Sequence, residues 1–245
     1  MGPLFGLLLA ISPTASMALA TAAPGLAQEQ TAPSPASPAQ VRLAGEIAQI
    51  AASGDLMMTA VLSGWDQGMK EEEATMAELD SLSPGLAKAI AERGKAELTA
   101  MVKERLPALQ STVAGIYAAQ ANEEELQSVL TFLRSPTGAQ FVRSVMLSDA
   151  GDSSVVDDGQ ISTGELKKAN RQASMEALRG MNAQQKVELI RFGVSPGGRV
   201  MKAIGEQIQP ALAAWLTSLM QDYEKRVEPV IEKIVLEALE KQAAQ

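Results

Sequence analysis

The feature that most constrains the fold is a nearly continuous helical pattern that begins at Val41. Strong helix formers, namely Ala, Leu, Met, Glu, Gln and Lys, dominate the chain from there to its end. No run alternates apolar and polar residues over a useful length, as a half-buried strand would. The pattern therefore predicts an all-α protein built as a helical bundle.

Two segments, residues 122–138 and 182–198, align without a gap at an offset of 60 residues. They read NEEELQSVLTFLRSPTG and NAQQKVELIRFGVSPGG, and five of the 17 positions are identical. The shared residues are Asn122, Phe132, Ser135, Pro136 and Gly138 in the first copy and Asn182, Phe192, Ser195, Pro196 and Gly198 in the second. These identities fall on residues that shape the backbone, which indicates two related helix–Ser-Pro–helix units.

Each copy has a mechanical interpretation. Asn122 with Glu125, and Asn182 with Gln185, have the spacing of a capping box at a helix start. The Ser-Pro pair ends that helix and begins another, with Ser as the cap and Pro in the first turn. The glycine two residues after the proline allows another backbone to approach closely.

Both copies also carry an apolar stripe at helical spacing, which is typical of a face that packs in a core. In the first copy the stripe is Leu126, Val129, Leu130 and Leu133, and in the second it is Ala183, Val187, Ile190 and Val194.

Residues 193–197 formally match the G-x-S-x-G motif that presents a hydrolase nucleophile, here Ser195. The residue after such a nucleophile donates its backbone N–H to the oxyanion hole, but Pro196 has no N–H. The chain contains no histidine to accept the hydroxyl proton. Its counterpart Ser135 lies in a segment without the first glycine of the motif. We therefore predict that Ser195 is a helix cap and that this motif is not catalytic.

The stretch ANEEELQSVLTFLRSPTGAQFV resembles the domain-of-unknown-function family 2059, whose members are exported proteins of Gram-negative bacteria. The resemblance covers about residues 98–147, and the second copy more loosely. This chain has Phe132-Leu133 where the family often has Phe-Tyr. The residues that carry the resemblance are Asn122, Glu125, Leu126, Phe132, Ser135, Pro136 and Gly138. It implies an all-helical envelope protein with no assigned catalytic residues.

Composition excludes many chemistries. The chain has no histidine and no cysteine, which removes His- or Cys-built zinc sites, haem and iron–sulfur ligation, Cys nucleophiles and His-based acid–base catalysis. We expect no cofactor. Aromatic residues make up 3% of the chain, too few for stacking platforms for sugars or bases. The net charge of −8 argues against nucleic acid and anionic membrane surfaces as partners.

Residues 1–28 carry no charged side chain, and the apolar run LFGLLLAI is followed by small residues. This is typical of a secretory signal peptide, residues 1–27, cleaved after Ala27 or alternatively after Ala20. An uncleaved anchor is the competing interpretation, but the run is short for a membrane span. We expect a periplasmic protein without a stable transmembrane anchor after cleavage.

The mature chain divides by composition into four parts. Residues 28–40 are a Pro/Ser/Ala linker, and residues 148–161 are an acidic Gly/Ser linker. The helical units between and after them are residues 41–147 and 162–245, each with one repeat copy. Whether the units form one interlocked bundle or two halves stays open at this stage.

Helix boundaries follow from the prolines and their neighbours. Ser83-Pro84 is typical of a helix start, and Pro107 and Pro210 predict breaks or kinks. The last helix is predicted from Pro210 to about Lys241. Its apolar stripe runs through Leu212, Trp215, Leu216, Leu219, Tyr223, Val227, Val230 and Ile234. We interpret that stripe as core packing, with a partner-binding face as the alternative.

One segment resembles half of a calcium loop. Asp158 and Glu165 fit ligand positions of an EF-hand, but Ser154 and Val156 fall where two other ligands are needed. A standard site therefore fails. If calcium binds, Asp157, Asp158 and Glu165 would carry it. An acidic linker that leads into a helix capped by Ser162 and Glu165 explains the same residues.

Three functions remain. The leading hypothesis is a non-enzymatic interaction module of the cell envelope with a protein partner. The second is a carrier of an apolar or lipid-like ligand in a Met/Leu-lined cavity, suggested by Met57, Met58, Met69, Met76 and Met101. The third is a carboxylate-based hydrolase that uses the acids of KEEE (70–73) or NEEE (122–125), although acids also favour helix starts.

Overall fold

The helical pattern of the sequence extends over almost all of the chain that the structure describes. The computed structural model covers residues 36–147, 156–157, 160–161 and 163–243. The helices are α1 (Pro38–Ala51), α2 (Gly54–Glu71), α3 (Glu73–Leu82), α4 (Leu86–Gln120), α5 (Glu123–Arg134), α6 (Pro136–Met146), α7 (Thr163–Gly180), α8 (Ala183–Val194) and α9 (Pro196–Ala243). Between α6 and α7, β1 (Val156–Asp157) pairs antiparallel with β2 (Gln160–Ile161). The predicted fold class, an all-α helical bundle, is confirmed.

The two longest helices, α4 and α9, form an antiparallel spine. Near the end of α4, Gln120 Oε1 accepts a 2.9 Å hydrogen bond from Gln207 Nε2, close to the start of α9. Near the middle of α4, Glu97 Oε2 lies 3.0 Å from Arg226 Nε, much farther along α9. At 1.5 Å of rise per residue the common length is about 50 Å.

Three apolar clusters follow one another along this spine. The largest joins α1, α4, α5 and the first part of α9, and its most buried large side chains are Ile47, Tyr117, Leu126, Leu130, Leu133 and Ile204. The middle cluster contains Leu98, Met101, Val102 and Leu219. The third contains Leu79, Leu86, Ala87 and Ile90, with Ile231 and Ile234 of α9 against it.

The two sequence units share one core. Ile204 of the second unit is 1% exposed and lies in the same cluster as Leu126 of the first. The helix that follows each Ser-Pro corner packs against the other unit, α6 against α7 and α9 against α4 and α5. The open question is thus settled in favour of one interlocked bundle.

The predicted linker 28–40 is too long at its end, because α1 begins at Pro38. Ser37 caps this helix: its Oγ accepts from Gln40 N, and Gln40 Oε1 accepts from Ser37 N. Ser37 Oγ also donates to Glu123 at the start of α5 over 2.6 Å. These local and tertiary hydrogen bonds order four residues that composition alone assigned to a linker.

The predicted helix start at Ser83-Pro84 is wrong. Ser83 ends α3, and α4 begins after Gly85, whose φ of 84° is the left-handed conformation that favours glycine. The side chain of Asp80 in α3 takes the role of an N-cap for α4, because its Oδ1 accepts a 2.9 Å hydrogen bond from Ala87 N in the first turn of that helix.

The prolines do not break the long helices. α4 continues through Pro107, and α9 continues through Pro210 and Pro229 as one helix of 48 residues, so its predicted start at Pro210 is wrong. Packing between α4 and α9 compensates for the lost backbone hydrogen bonds. Trp215 Nε1 donates to the carbonyl of Arg105 over 3.2 Å, in the turn where Pro107 interrupts the α4 ladder.

The stripe predicted along the last helix packs in the core. Leu219 and Val227 are buried, and Trp215 and Tyr223 pack against the middle cluster. An ion pair beside it joins α9 to α4: Asp222 accepts from Arg105, and this hydrogen bond holds the pKa of the Asp222 carboxyl below its ordinary value.

Several predictions lie outside the described residues. These are the signal peptide 1–27 with cleavage at Ala27 or Ala20, most of the linkers 28–40 and 148–161, and the Ser162 cap. Among the residues described, one stretch, Pro38–Glu71, is long and apolar enough to cross a membrane by length and composition. It comprises α1 and α2, and 22% of its most apolar window is buried. Core helices of other proteins pass the same test of length and composition.

Candidate interaction surface

The helix starts of the two repeat copies have the same geometry. Asn122 Oδ1 accepts from Glu125 N over 3.0 Å, and Glu125 Oε2 accepts from Asn122 N over 2.9 Å. Asn182 and Gln185 make the same two bonds, each 3.0 Å long. Both capping boxes predicted from the sequence are present at the starts of α5 and α8.

The Ser-Pro corners are also equivalent. Ser135 Oγ accepts from Gly138 N over 3.0 Å, and Ser195 Oγ accepts from Gly198 N over 3.1 Å. A Cβ on Gly138 would lie 1.9 Å from the carbonyl oxygen of Phe132, and one on Gly198 would lie 2.0 Å from the corresponding carbonyl of the second copy. The hydroxyl of Ser195 therefore caps α9, and the glycine of the motif is needed because the two helices meet so closely.

Reciprocal contacts relate the two copies by a local twofold axis. Thr137 donates its hydroxyl hydrogen to Glu188, so position 137 of the first copy meets position 188 of the second. Conversely, a Cβ on Gly197 would lie 2.6 Å from Ser128 Oγ, so position 197 meets position 128. Since both pairs are equivalent at the offset of 60 residues, the units pair as two subunits of a symmetric dimer would.

An open groove of about 680 Å³ lies between the paired copies. It is lined by Glu124, Gln127, Ser128, Thr131, Phe132, Ser135, Glu188, Arg191, Phe192 and Ser195. The hydroxyl oxygens of Ser128 and Ser195 are 3.5 Å apart. In the described part of the chain, no hydrogen bond joins either hydroxyl to a basic side chain. The groove therefore forms where the two Ser-Pro corners pack together. The serines of these corners, Ser135 and Ser195, serve as helix caps.

The apolar stripe of α8 is on the surface, and its prediction as a core face is wrong. Ile190 is 66% exposed, Val194 69% and Val187 46%, and Ala183 is exposed as well. The stripe of α5 is buried as predicted. The two stripes share one equivalent position, Leu130 and Ile190. Leu130 is buried in the cluster that α1 and α5 share, whereas in residues 36–147 and 163–243 no second α1 lies on α8.

The way α1 lies on α5 shows how a helix can cover such a face. Ser37 of α1 binds Glu123 at the start of α5, and Glu46 of α1 binds Arg134 at its end, both over 2.6 Å. The helices are therefore parallel. Leu130, between these two points, is 1% exposed in the cluster that both helices share. At the offset of 60, these three α5 positions correspond to Ala183, Val194 and Ile190.

Basic side chains flank the exposed stripe. Lys186 is next to Val187 on one side, and Arg191 is next to Ile190 on the other, where it is exposed. Residues 163–202 contain eight basic and three acidic residues, a net charge of +5 within a chain of −8. The total charge of the chain does not reveal this basic segment. A count of basic and acidic residues in successive segments of the sequence does.

The calcium candidates are only partly described. Asp157 lies in β1, and Asp158 and the side chain of Glu165 lie outside the described residues. Within the described ranges, no group of three acidic side chains is arranged to hold a metal ion.

The acidic clusters have structural surroundings. Glu71 ends α2, Glu72 precedes α3 and Glu73 begins it. In the second cluster, Glu125 belongs to a capping box and Glu123 accepts from Ser37. Glu73 and the acids at 123–125 lie in the first turns of their helices, where the helix dipole favours acids.

The methionines do not converge on one cavity. Met57 is buried in the largest cluster and Met101 in the middle one, while Met76 packs against the third. They act as packing side chains in three separate places.

No family model matches the chain, and neither a curated protein nor a solved structure is significantly similar to it. The resemblance to the domain-of-unknown-function family 2059 therefore stays a prediction.

Proposed function

We propose that the protein is an exported, periplasmic and non-enzymatic interaction module of the cell envelope that binds a protein partner through the outer face of α8. The observation that carries this proposal is the exposure of Val187, Ile190 and Val194 on one face. Scattered exposed apolar residues are common, but an aligned row with helical spacing is typical of an interface.

The rest of the molecule supports a binding role over a catalytic one. The chain offers no His or Cys chemistry. The serine of the hydrolase-like motif caps α9. The two corners have the same geometry and form a rigid frame that holds α8 in place. A partner that binds α8 therefore pays little conformational entropy to order it.

Photocrosslinking in living cells tests the proposal. A photoreactive amino acid at Ile190 should give a discrete adduct with another protein. The same amino acid at Gln127, the exposed α5 position that is equivalent to Val187, should not, and neither should Leu82, which is 52% exposed near the far end of the spine. An identical adduct pattern at all three positions, or no adduct at Ile190, would contradict the proposal.

Export is tested separately by fractionation and intact mass. The protein recovered from the periplasm should begin at Gln28, as cleavage after Ala27 requires, or at Thr21 if cleavage follows Ala20. Recovery of the uncleaved chain from the cytoplasm would remove the envelope part of the proposal but not the interaction surface.

A further inference from the structure

We propose that the partner presents an amphipathic helix with acidic flanks, and that this helix lies along the exposed stripe of α8. The inference rests on the proposed interaction function and adds the chemistry of the partner. Three observations carry it: the spacing of the exposed stripe, the charges beside it, and the internal example of α1.

The spacing is that of a short coiled-coil seam. Ala183, Val187, Ile190 and Val194 follow one another in steps of four, three and four residues. This is the alternation of the a and d positions in a heptad repeat, with β-branched Val at both a positions. A helix with the same repeat can bury its own seam against these side chains.

The flanking charges select the sign of the partner. With Val187 and Val194 at a positions, Lys186 falls at g, and Gln184 and Arg191 fall at e. These positions set partner choice in coiled coils through charge pairs across the seam. Glutamate or aspartate on the partner would pair with Lys186 and Arg191, whereas basic residues would repel them.

The same charges disfavour a second copy of α8 as the occupant. In a parallel pair Arg191 would face Lys186 of the other copy, and in an antiparallel pair each would face its own counterpart. Like charges at such positions are destabilising.

The contact of α1 with α5 is an internal example of a helix held by such charge pairs. α1 runs parallel to α5, and its Ser37 and Glu46 bind the positions that correspond to Ala183 and Val194. At the end of α5, the contact is an acid of the covering helix with a base of the covered one, Glu46 with Arg134. Arg134 corresponds to Val194, and the base at the edge of the α8 stripe is Arg191, with which an acid of a partner helix would make a charge pair of the same type.

Two synthetic helical peptides test the charge rule on the mature full chain. Both carry three heptads with Val and Leu at a and d, one with Glu and the other with Lys at e and g. Fluorescence anisotropy at low salt should show the Glu peptide binding about tenfold more tightly than the Lys peptide. Added salt should reduce that ratio, because exposed charges are screened.

One substitution tests the site of binding. Arg191→Glu leaves the flanks of the seam with one base and one acid, so the preference for the Glu peptide should disappear. Lys103→Glu makes the same change of charge at an exposed position of α4 and should keep the preference. Circular dichroism checks that both variants retain the helical content of the natural chain.

The outcomes separate this inference from the proposed function. Equal affinities for the two peptides, or binding of neither, would overturn the acidic-helix partner, while a protein adduct at Ile190 in cells would still support an interaction module. An adduct of phospholipid mass at Ile190 would replace the helix by a bilayer surface. A dimer in sedimentation that Ile190→Glu dissociates would replace it by a second copy. Both results would overturn the inference.

Discussion

The rings of Phe132 and Phe192 stack face to face, with centroids 3.8 Å apart and planes inclined by 6°. The two residues are equivalent in the repeat, so the stack lies on the local twofold axis that relates the two corners. It is also a direct side-chain contact between the first and second halves of the chain. Aromatic stacking adds to the free energy of the area that the rings bury.

A double-mutant cycle measures this contact. Phe132→Leu and Phe192→Leu should each lower the free energy of unfolding, and together by less than the sum, with a coupling of about 0.5–1.5 kcal/mol. Urea denaturation of the mature protein gives the four values. As a control, Phe192→Leu should be additive with Leu79→Ala in the third cluster within about 0.5 kcal/mol. Additivity of the two phenylalanines would contradict the stack.

The close approach at the Ser-Pro corner predicts that Gly138→Ala is strongly destabilising. The Cβ of the new alanine would lie 1.9 Å from the carbonyl oxygen of Phe132. The nearest atoms all belong to the backbone of Phe132 and Leu133, which has little room to move. We expect a loss of about 1–3 kcal/mol or more in the free energy of unfolding. The control is Gly115→Ala in α4, where a Cβ meets nothing within 4 Å, and alanine should stabilise the helix by about 0.5–1 kcal/mol. Equal effects at both sites would refute the close approach.

Local interactions could be predicted from the sequence, and long-range ones could not. The capping boxes at Asn122 and Asn182 depend on residues three positions apart, so their pattern is visible in the chain. The stack of Phe132 on Phe192 and the bond between Thr137 and Glu188 depend on how the two copies pair in space. The repeat indicated two related units but not the axis that joins them.

Tertiary packing explains the predictions that failed at the prolines of the long helices and at the stripe of α8. Pro107 and Pro210 suggested breaks because an isolated helix loses stability there, but the spine of α4 and α9 holds both helices continuous. The stripe of α8 suggested a core face because its pattern matches one. An apolar stripe is buried only where another element of the fold packs against it, and α1 packs against α5 and not against α8. The mismatch at α8 is what marks the candidate surface.

One buried and one partly buried tyrosine predict a loss of stability in alkali. Burial raises the pKa of Tyr117, which is 2% exposed, to about 12. Burial, and then the negative charge of Glu97, raise the pKa of Tyr223 above its ordinary value, and its hydroxyl has no hydrogen-bond partner among the described residues. Above about pH 10 the unfolded chain releases protons that the native chain keeps, so the free energy of unfolding falls between about pH 10 and 12.

Ultraviolet absorbance of tyrosinate, followed together with circular dichroism, checks this dependence. These are the only two tyrosines of the chain, so tyrosinate should appear together with the loss of helix and not before it. Tyr117→Phe should make the fall in stability shallower over the same range of pH. Full ionisation near pH 10 with the helical content unchanged would show that neither ring is buried.

Equivalent positions in the two copies should respond differently to truncation. Leu130 is 1% exposed beneath α1, so Leu130→Ala should cost about 2–5 kcal/mol of the free energy of unfolding. Ile190, the same position of the second copy, is 66% exposed, and Ile190→Ala should change it by no more than about 0.5 kcal/mol. Urea denaturation of the purified protein at two concentrations measures both. A large, concentration-dependent cost at Ile190 would mean that another copy already covers α8, whereas a small one leaves the face free for the partner.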